Sequence, residues 1–135
     1  MPFDIKYTSD FYIIEVDLDA DLLQSNWLRP VSVKEMETGG TKLYEVLRDT
    51  QGARVLANAQ SLGVLPAEAK EWMSSRFYEL LSLTQLKKMA RVLPENLFHR
   101  VALESVVTRA DALGVTKFDV RNFTSPTEAL RWLDS

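Results

Sequence analysis

The chain has 135 residues, a net charge of −3 and no cysteine, with 46% hydrophobic and 26% charged residues, 5 Gly and 5 Pro. Its length is close to the commonest domain size and leaves no room for two ordinary domains, so a single domain over residues 1–135 is expected; the composition excludes disorder and fibre. The lack of cysteine excludes disulfides, thiolate nucleophiles, zinc fingers and iron–sulfur clusters together.

Phe3, Ile5 and Tyr7 alternate with Asp4, Lys6 and Thr8, the period of a half-buried strand. Phe11 to Leu18 is richer in β-formers and sets Tyr12, Ile14, Val16 and Leu18 on one face. Asp19-Ala20-Asp21 reads as a turn and Leu22 to Leu28 as the returning partner of an antiparallel hairpin. Ser32-x-x-Glu35 is a capping box that opens a helix, in which Val33, Met36, Gly40, Leu43 and Leu47 recur at helical spacing. Gly39-Gly40 inside that run costs about 1 kcal/mol per residue relative to alanine, which predicts close packing of the backbone there.

Ala53 to Ala57, short, apolar and bounded by Gly52 and Asn58, reads as a buried central strand, and Ala59 to Leu65 as a loop. Pro66 suits a first helical position, and Ala69, Trp72, Met73, Phe77, Leu80 and Leu81 form a wide apolar stripe behind it. Lys88 to Leu93 is another strand, ended by Pro94; Asn96 caps a helix that Gly114 closes. Thr116 to Val120 reads as the last strand. Ser125-Pro126-Thr127-Glu128 then opens a final helix with Ala129, Leu130 and Leu133 inward. Strands followed by helix–strand alternation predict an α/β fold: a mixed, mostly parallel sheet with an N-terminal antiparallel hairpin and about four helices.

Several motifs fail on their chemistry. Asp17-Leu18-Asp19-Ala20-Asp21 begins like a calcium loop, but Leu22 and Leu28 stand where that loop requires Gly and a bidentate Glu. Thr38-Gly39-Gly40-Thr41-Lys42 lacks the spacing of a phosphate loop. His99 is the only histidine and has no nucleophile elbow or cysteine beside it, so neither a hydrolase triad nor a transition-metal site is expected. Lys87-Lys88 with Arg91 is too small a basic cluster for nucleic acid. The N-terminus lacks the basic and apolar regions of a signal peptide, and no apolar run approaches the ~20 residues of a transmembrane helix. The expectation is a cytoplasmic protein without metal or cofactor.

Ligands of open α/β sheets bind beyond the carboxyl ends of strands, which directs attention to Asn58, Gln60 and Ser61 after the central strand. Arg91 and Arg121-Asn122, on neighbouring strands, are placed at the same rim. Trp72 and the aromatic-rich helix through Tyr78 add a candidate surface for an apolar ligand.

With Asn26-Trp27, Val55-Leu56-Ala57-Asn58, Trp72, Phe123 and Glu128-Ala129-Leu130-Arg131-Trp132-Leu133 in this order, the chain resembles the STAS-like superfamily of anti-sigma-factor antagonists. More closely it resembles a small bacterial branch related to CRAL-TRIO-type lipid-transfer domains. The resemblance implies a non-enzymatic regulatory or protein-interaction module with a protein partner or a homodimer. It also implies, as alternative, a carrier of an apolar, lipid-like ligand. An enzyme using carboxylates around the Asn58–Ser61 rim ranks third. Ser61 is the counterpart of the serine that is phosphorylated in such antagonists, although Ala59-Gln60-Ser61-Leu62-Gly63 replaces the family's Asp-Ser-Ser/Thr-Gly context.

Overall fold

The computed structural model describes residues 3–135; Met1 and Pro2, which open the N-terminal segment read above, lie outside the described residues. Strands β1 (Asp4–Thr8), β2 (Tyr12–Asp17) and β3 (Leu22–Trp27) form an antiparallel meander. From β3 the sheet continues in parallel through β4 (Arg54–Asn58), β5 (Lys88–Val92) and β6 (Asp119–Phe123), so strand order follows chain order. The helices are α1 (Val33–Thr50), α2 (Ala67–Trp72), α3 (Tyr78–Leu81), α4 (Leu97–Leu113) and α5 (Pro126–Leu133). A π-helical turn, Met73–Phe77, joins α2 to α3 and makes them one helical segment of the four. This is the α/β architecture that the alternation predicts.

Parallel strands laid down in sequence are joined by right-handed crossovers, which set every crossover on the same face. Residues of α1, the π turn, α3 and α4 accordingly share one core with Tyr12, Ile14, Leu23, Trp27, Val55 and Met89. Helix α5 follows the last strand and closes the opposite face over Leu56, Ala90 and Val92. The central strands are thus buried on both sides, and Met89, Ala90, Arg91 and Val92 are buried in succession. In β2 and β3 buried and half-buried residues alternate, the pattern of a sheet covered on one face only. A register shift between Ile5 and Tyr7 bends the β1 edge, a common protection against edge-to-edge pairing.

Helix α1 begins with both halves of its capping box: Glu35 N–H donates to Ser32 Oγ at 3.1 Å, and Ser32 N–H to Glu35 Oε1 at 3.0 Å. Arg29 also holds Glu35, at 2.8 Å. The helix runs unbroken through both glycines because aromatic rings occupy the space of their missing side chains. A Cβ on Gly39 would lie 2.7 Å from the Trp27 ring and 2.9 Å from Tyr12, and one on Gly40 2.7 Å from the Trp72 ring. The pair therefore packs one residue on the sheet and the other on the next helix.

Three boundaries differ from the sequence reading. The last strand starts at Asp119 rather than Thr116, because Phe118 turns into the core against Tyr78, at 5.9 Å, and the ladder begins only where Asp119 meets Lys88. Pro66 is the N-cap of α2, one residue before the helix. The stripe from Ala69 to Leu81 is not a uniform α-helix: Tyr78 N–H reaches back five residues to the Met73 carbonyl.

Two predictions follow from α1. Alanine at Gly39 would gain helix propensity but push against two buried rings, so Gly39→Ala is expected to destabilise by about 1–2 kcal/mol. Gly40→Ala should cost less, since Trp72 is only partly buried and has room to shift. Urea titration of both variants checks this; a Gly39→Ala midpoint at or above the wild type refutes it. The second concerns acid. Hydrogen bonds from Arg29 and then from the Ser32 backbone lower the Glu35 carboxyl from 4.5 to about 2. The folded state favours the carboxylate, so this contribution is complete above pH 4.5 and is lost as pH falls through about 2. Glu35→Gln is expected to be less stable at neutral pH and to show a flatter acid limb between those values, measured by denaturation at stepped pH.

Candidate functional site

In the carboxyl half of the parallel strands, one row of residues crosses the sheet: Ser25 of β3, Ala57 of β4, Arg91 of β5 and Asn122 of β6 are in register. Strand alternation turns this row toward the α1–α4 face, parallel to the apolar row Leu23, Val55, Met89 and Val120. Three members are polar, and the fourth is an alanine between two of them. The shortness of Ala57 leaves a notch in the sheet surface, and a cavity lies over it.

Ser25, Arg91, Tyr12 and Tyr78 bring polar atoms to the cavity wall; the rest is apolar, including Leu62, Met73 and Phe77. Water centres have about 20 Å³ of space within it. Since a single water needs roughly 10–15 Å³ by this measure, the cavity has room for a water or a small polar head.

Arg91 is the unusual member. It is 3% exposed, and its Nη2 donates to the Leu103 carbonyl of α4 at 2.7 Å, while Nη1 has no hydrogen-bond partner. Among the described residues it takes part in none of the ion pairs, all of which belong to other cations. Ser25 is 1% exposed; its Oγ stands near the Tyr12 phenol without a hydrogen bond of good geometry. Burial raises the Tyr12 phenol well above its ordinary value, an effect Ser25 partly offsets. Burial also raises Tyr78, against the pull of the Arg91 charge. Both phenols stay protonated at neutral pH and offer O–H donors. Leaving a buried polar group unpaired costs about 1–3 kcal/mol, and more when it is charged. The natural complement of this wall is an acceptor, preferably an anionic one.

The π turn forms the wall opposite the sheet. An inserted residue of this kind is uncommon and often marks a functional site. Here it sets Met73 and Phe77 on the cavity. Ser74, also buried, donates to the Lys70 and Val106 carbonyls and so ties the turn to α4.

The residues singled out from sequence fall into separate places. Asn58 and Gln60 satisfy each other: Gln60 N–H donates to Asn58 Oδ1 at 2.9 Å and Asn58 Nδ2 to Gln60 Oε1 at 3.3 Å. Ser61 is exposed, six residues before the start of α2 at Ala67. From the same loop, Ala59 and Leu62 reach the cavity. Trp72 stacks on Phe77 at 5.6 Å, one ring removed from the space itself. Arg91 lies in the cavity wall, not at the loop. Arg121 faces the other side of the sheet, with its guanidinium 5.1 Å from the Trp132 ring centre. Asn122 stands beside Arg91 in the row, with Oδ1 unpaired.

Sequence reasoning did not single out Ser25, Tyr12 or the π turn, and it reached Tyr78 only as the end of the aromatic-rich helix. Ser25 carried a signal: it takes an inward position in the alternation Leu23-Ser25-Trp27, where an apolar residue is expected. Among the described residues, no three His, Asp or Glu side chains converge as metal ligands, and no helix is long and apolar enough to cross a membrane. Comparison with protein-family models, with curated proteins and with solved structures finds no match.

Arg91 opposes stability if its place is that of a binding group. Replacing a buried ion pair by apolar residues of similar volume is often neutral or stabilising, and a buried charge without an ionic partner has still less attraction to lose. Arg91→Met is therefore expected to fold with unchanged stability or a gain of up to about 2 kcal/mol. A loss of several kcal/mol in urea titration would instead make Arg91 a structural strut of α4.

Proposed function

We propose that this chain is a non-enzymatic regulatory module of STAS-like type that takes a small ligand into its core cavity and passes occupancy to a protein partner. The observation that carries the reading is a buried guanidinium with one nitrogen unpaired, on a residue that lines an apolar cavity near the carboxyl ends of parallel strands. Clefts lined by apolar groups with a few convergent polar atoms are the common form of small-molecule sites. The absence of His, Asp and Glu from the cavity wall supports binding over catalysis, because proton transfer there would have no base.

The route to a partner starts from Arg91 itself. One nitrogen is unpaired and another holds the α4 carbonyl at Leu103, so a ligand that draws the guanidinium also loads that helix. The first turn of α4 presents Leu97, Phe98 and Val101, which are 58%, 82% and 51% exposed. Three side chains cover far less than the ~1,600 Å² of a standard interface, which favours weak association; a second copy of the chain is the partner put to the test.

Native mass spectrometry of freshly purified protein tests both halves. Expected are a non-covalent adduct lost on denaturation and missing in Arg91→Met, and a concentration-dependent dimer reduced in Phe98→Ser. A wild type that carries no adduct, and that no member of a metabolite library stabilises thermally, ends the ligand reading. A strict monomer at high concentration ends the second-copy reading.

A further inference from the structure

Resting on the cavity as a ligand site, we infer that its ligand is a small monocarboxylate with an apolar tail. The charge comes first. Arg91 is the one charged residue of the cavity wall, so an anion carrying a single negative charge leaves the occupied site neutral. A phosphate dianion would leave a net charge in a medium where unpaired charges are costly. A neutral alcohol would leave the guanidinium as it is, and an amine would set two cations together.

Geometry points to the same group. A planar carboxylate accepts from the edge of a guanidinium and still has lone pairs for further donors. On one side of the notch stands Arg91, whose Nη1 is unpaired; on the other, two strand spacings or roughly 10 Å away between α-carbons, stands Ser25, whose Oγ is also unpaired. The Tyr12 and Tyr78 phenols, kept protonated by burial, add donors to the same wall. These groups surround the floor over Ala57, where a carboxylate head would rest.

The tail has one direction to take. Beyond the polar groups the wall consists of Leu62, Met73 and Phe77, with Leu43, Met89 and Leu103 behind them. The present space of about 20 Å³ suits no more than the head. The tail displaces the Phe77 ring, which the π turn carries together with Met73. Phe77 in turn stacks on Trp72, so tail entry moves an indole that is partly exposed. Trp72, with Trp27 of the cavity wall, thereby becomes an optical reporter of the site.

The test is calorimetric titration of acetate, butyrate and hexanoate into the wild-type protein, with 1-hexanol, hexylamine and inorganic phosphate as the comparison. Hexanoate is expected to bind one to one, at least tenfold tighter than 1-hexanol, with affinity rising from acetate to hexanoate and a change in tryptophan emission. Arg91→Met should abolish the preference for the acid over the alcohol. Ala57→Val, which leaves the charge in place and fills the notch, should weaken hexanoate at least tenfold. Equal binding of 1-hexanol and hexanoate overturns the carboxylate and leaves the ligand-module reading standing. Phosphate binding as tightly as hexanoate overturns the apolar tail. If none of the six probes binds while the purified protein retains a native adduct, the monocarboxylate is wrong and the ligand module survives; if there is neither adduct nor thermal stabilisation by any library compound, both fall.

Discussion

The order in which the parallel strands are laid down governs the rest of the molecule. Each strand from β3 to β6 is added beside its predecessor, so right-handed crossovers bring α1, the α2–α3 segment and α4 to one face. Only α5, which follows the last strand, is left to cover the other. The β5 residues from Met89 to Val92 therefore have no solvent side, whichever way they point. On a sheet open to water on one face, an arginine would alternate outward and be hydrated. At position 91 the same side chain is taken out of water by topology alone.

The cavity beside it is likewise a consequence of packing. Gly39 and Gly40 let α1 descend onto the Trp27, Tyr12, Trp72 and Phe77 rings. Tyr12 stacks on Trp27 at 3.8 Å and Phe77 on Trp72 at 5.6 Å, two aromatic pairs on either side of the helix. Large flat side chains hold the helices at a fixed distance from the sheet, and a small residue such as Ala57 cannot fill the gap that results. Proteins usually close such gaps by changing one side chain, since voids cost packing energy. Here the gap coincides with two unpaired polar groups.

What was legible in the sequence is the part set by local chemistry. Ser32 with Glu35, Asn96, Gly114 and Ser125 with Pro126 and Glu128 act within a turn of themselves, and each lies at the helix end it marks. Strand existence follows from periodicity in the same way. The start of β6 was misplaced because Thr116 to Phe118 have strand composition, while their position is decided by Phe118 reaching Tyr78 across the core. The π turn left no trace in the apolar stripe, since one inserted residue shifts the pattern by less than the stripe is wide. Arg91 could be named as a candidate, but its burial depends on α5 and α4 lying on opposite faces of β5. That is a property of the whole topology. Asn58, Gln60 and Ser61 have the composition of a binding loop, and the first two of them meet each other's hydrogen-bonding needs.

The other cations of the same strands show that Arg91 is not simply one more basic residue in a sheet. On the α5 face, Arg54 donates to the Asp21 and Leu133 carbonyls and pairs with Asp134 at 2.9 Å, and it reaches the Ala20 carbonyl as well. Lys88 donates to the Ser135 carbonyl at 2.9 Å and lies 5.1 Å from the Trp132 ring centre, which Arg121 approaches from another side. Those three charges clamp the hairpin turn, the central strands and the C-terminal helix together, with water nearby to complete their hydration. The helix face received a single cation, more deeply buried than the others and with one hydrogen bond. A group whose only task was to anchor α4 at Leu103 would need one donor and no charge, and a serine or asparagine would supply it at lower cost. A guanidinium adds to that anchor a second, charged edge, and Arg91 lines a space of the size of a small polar head.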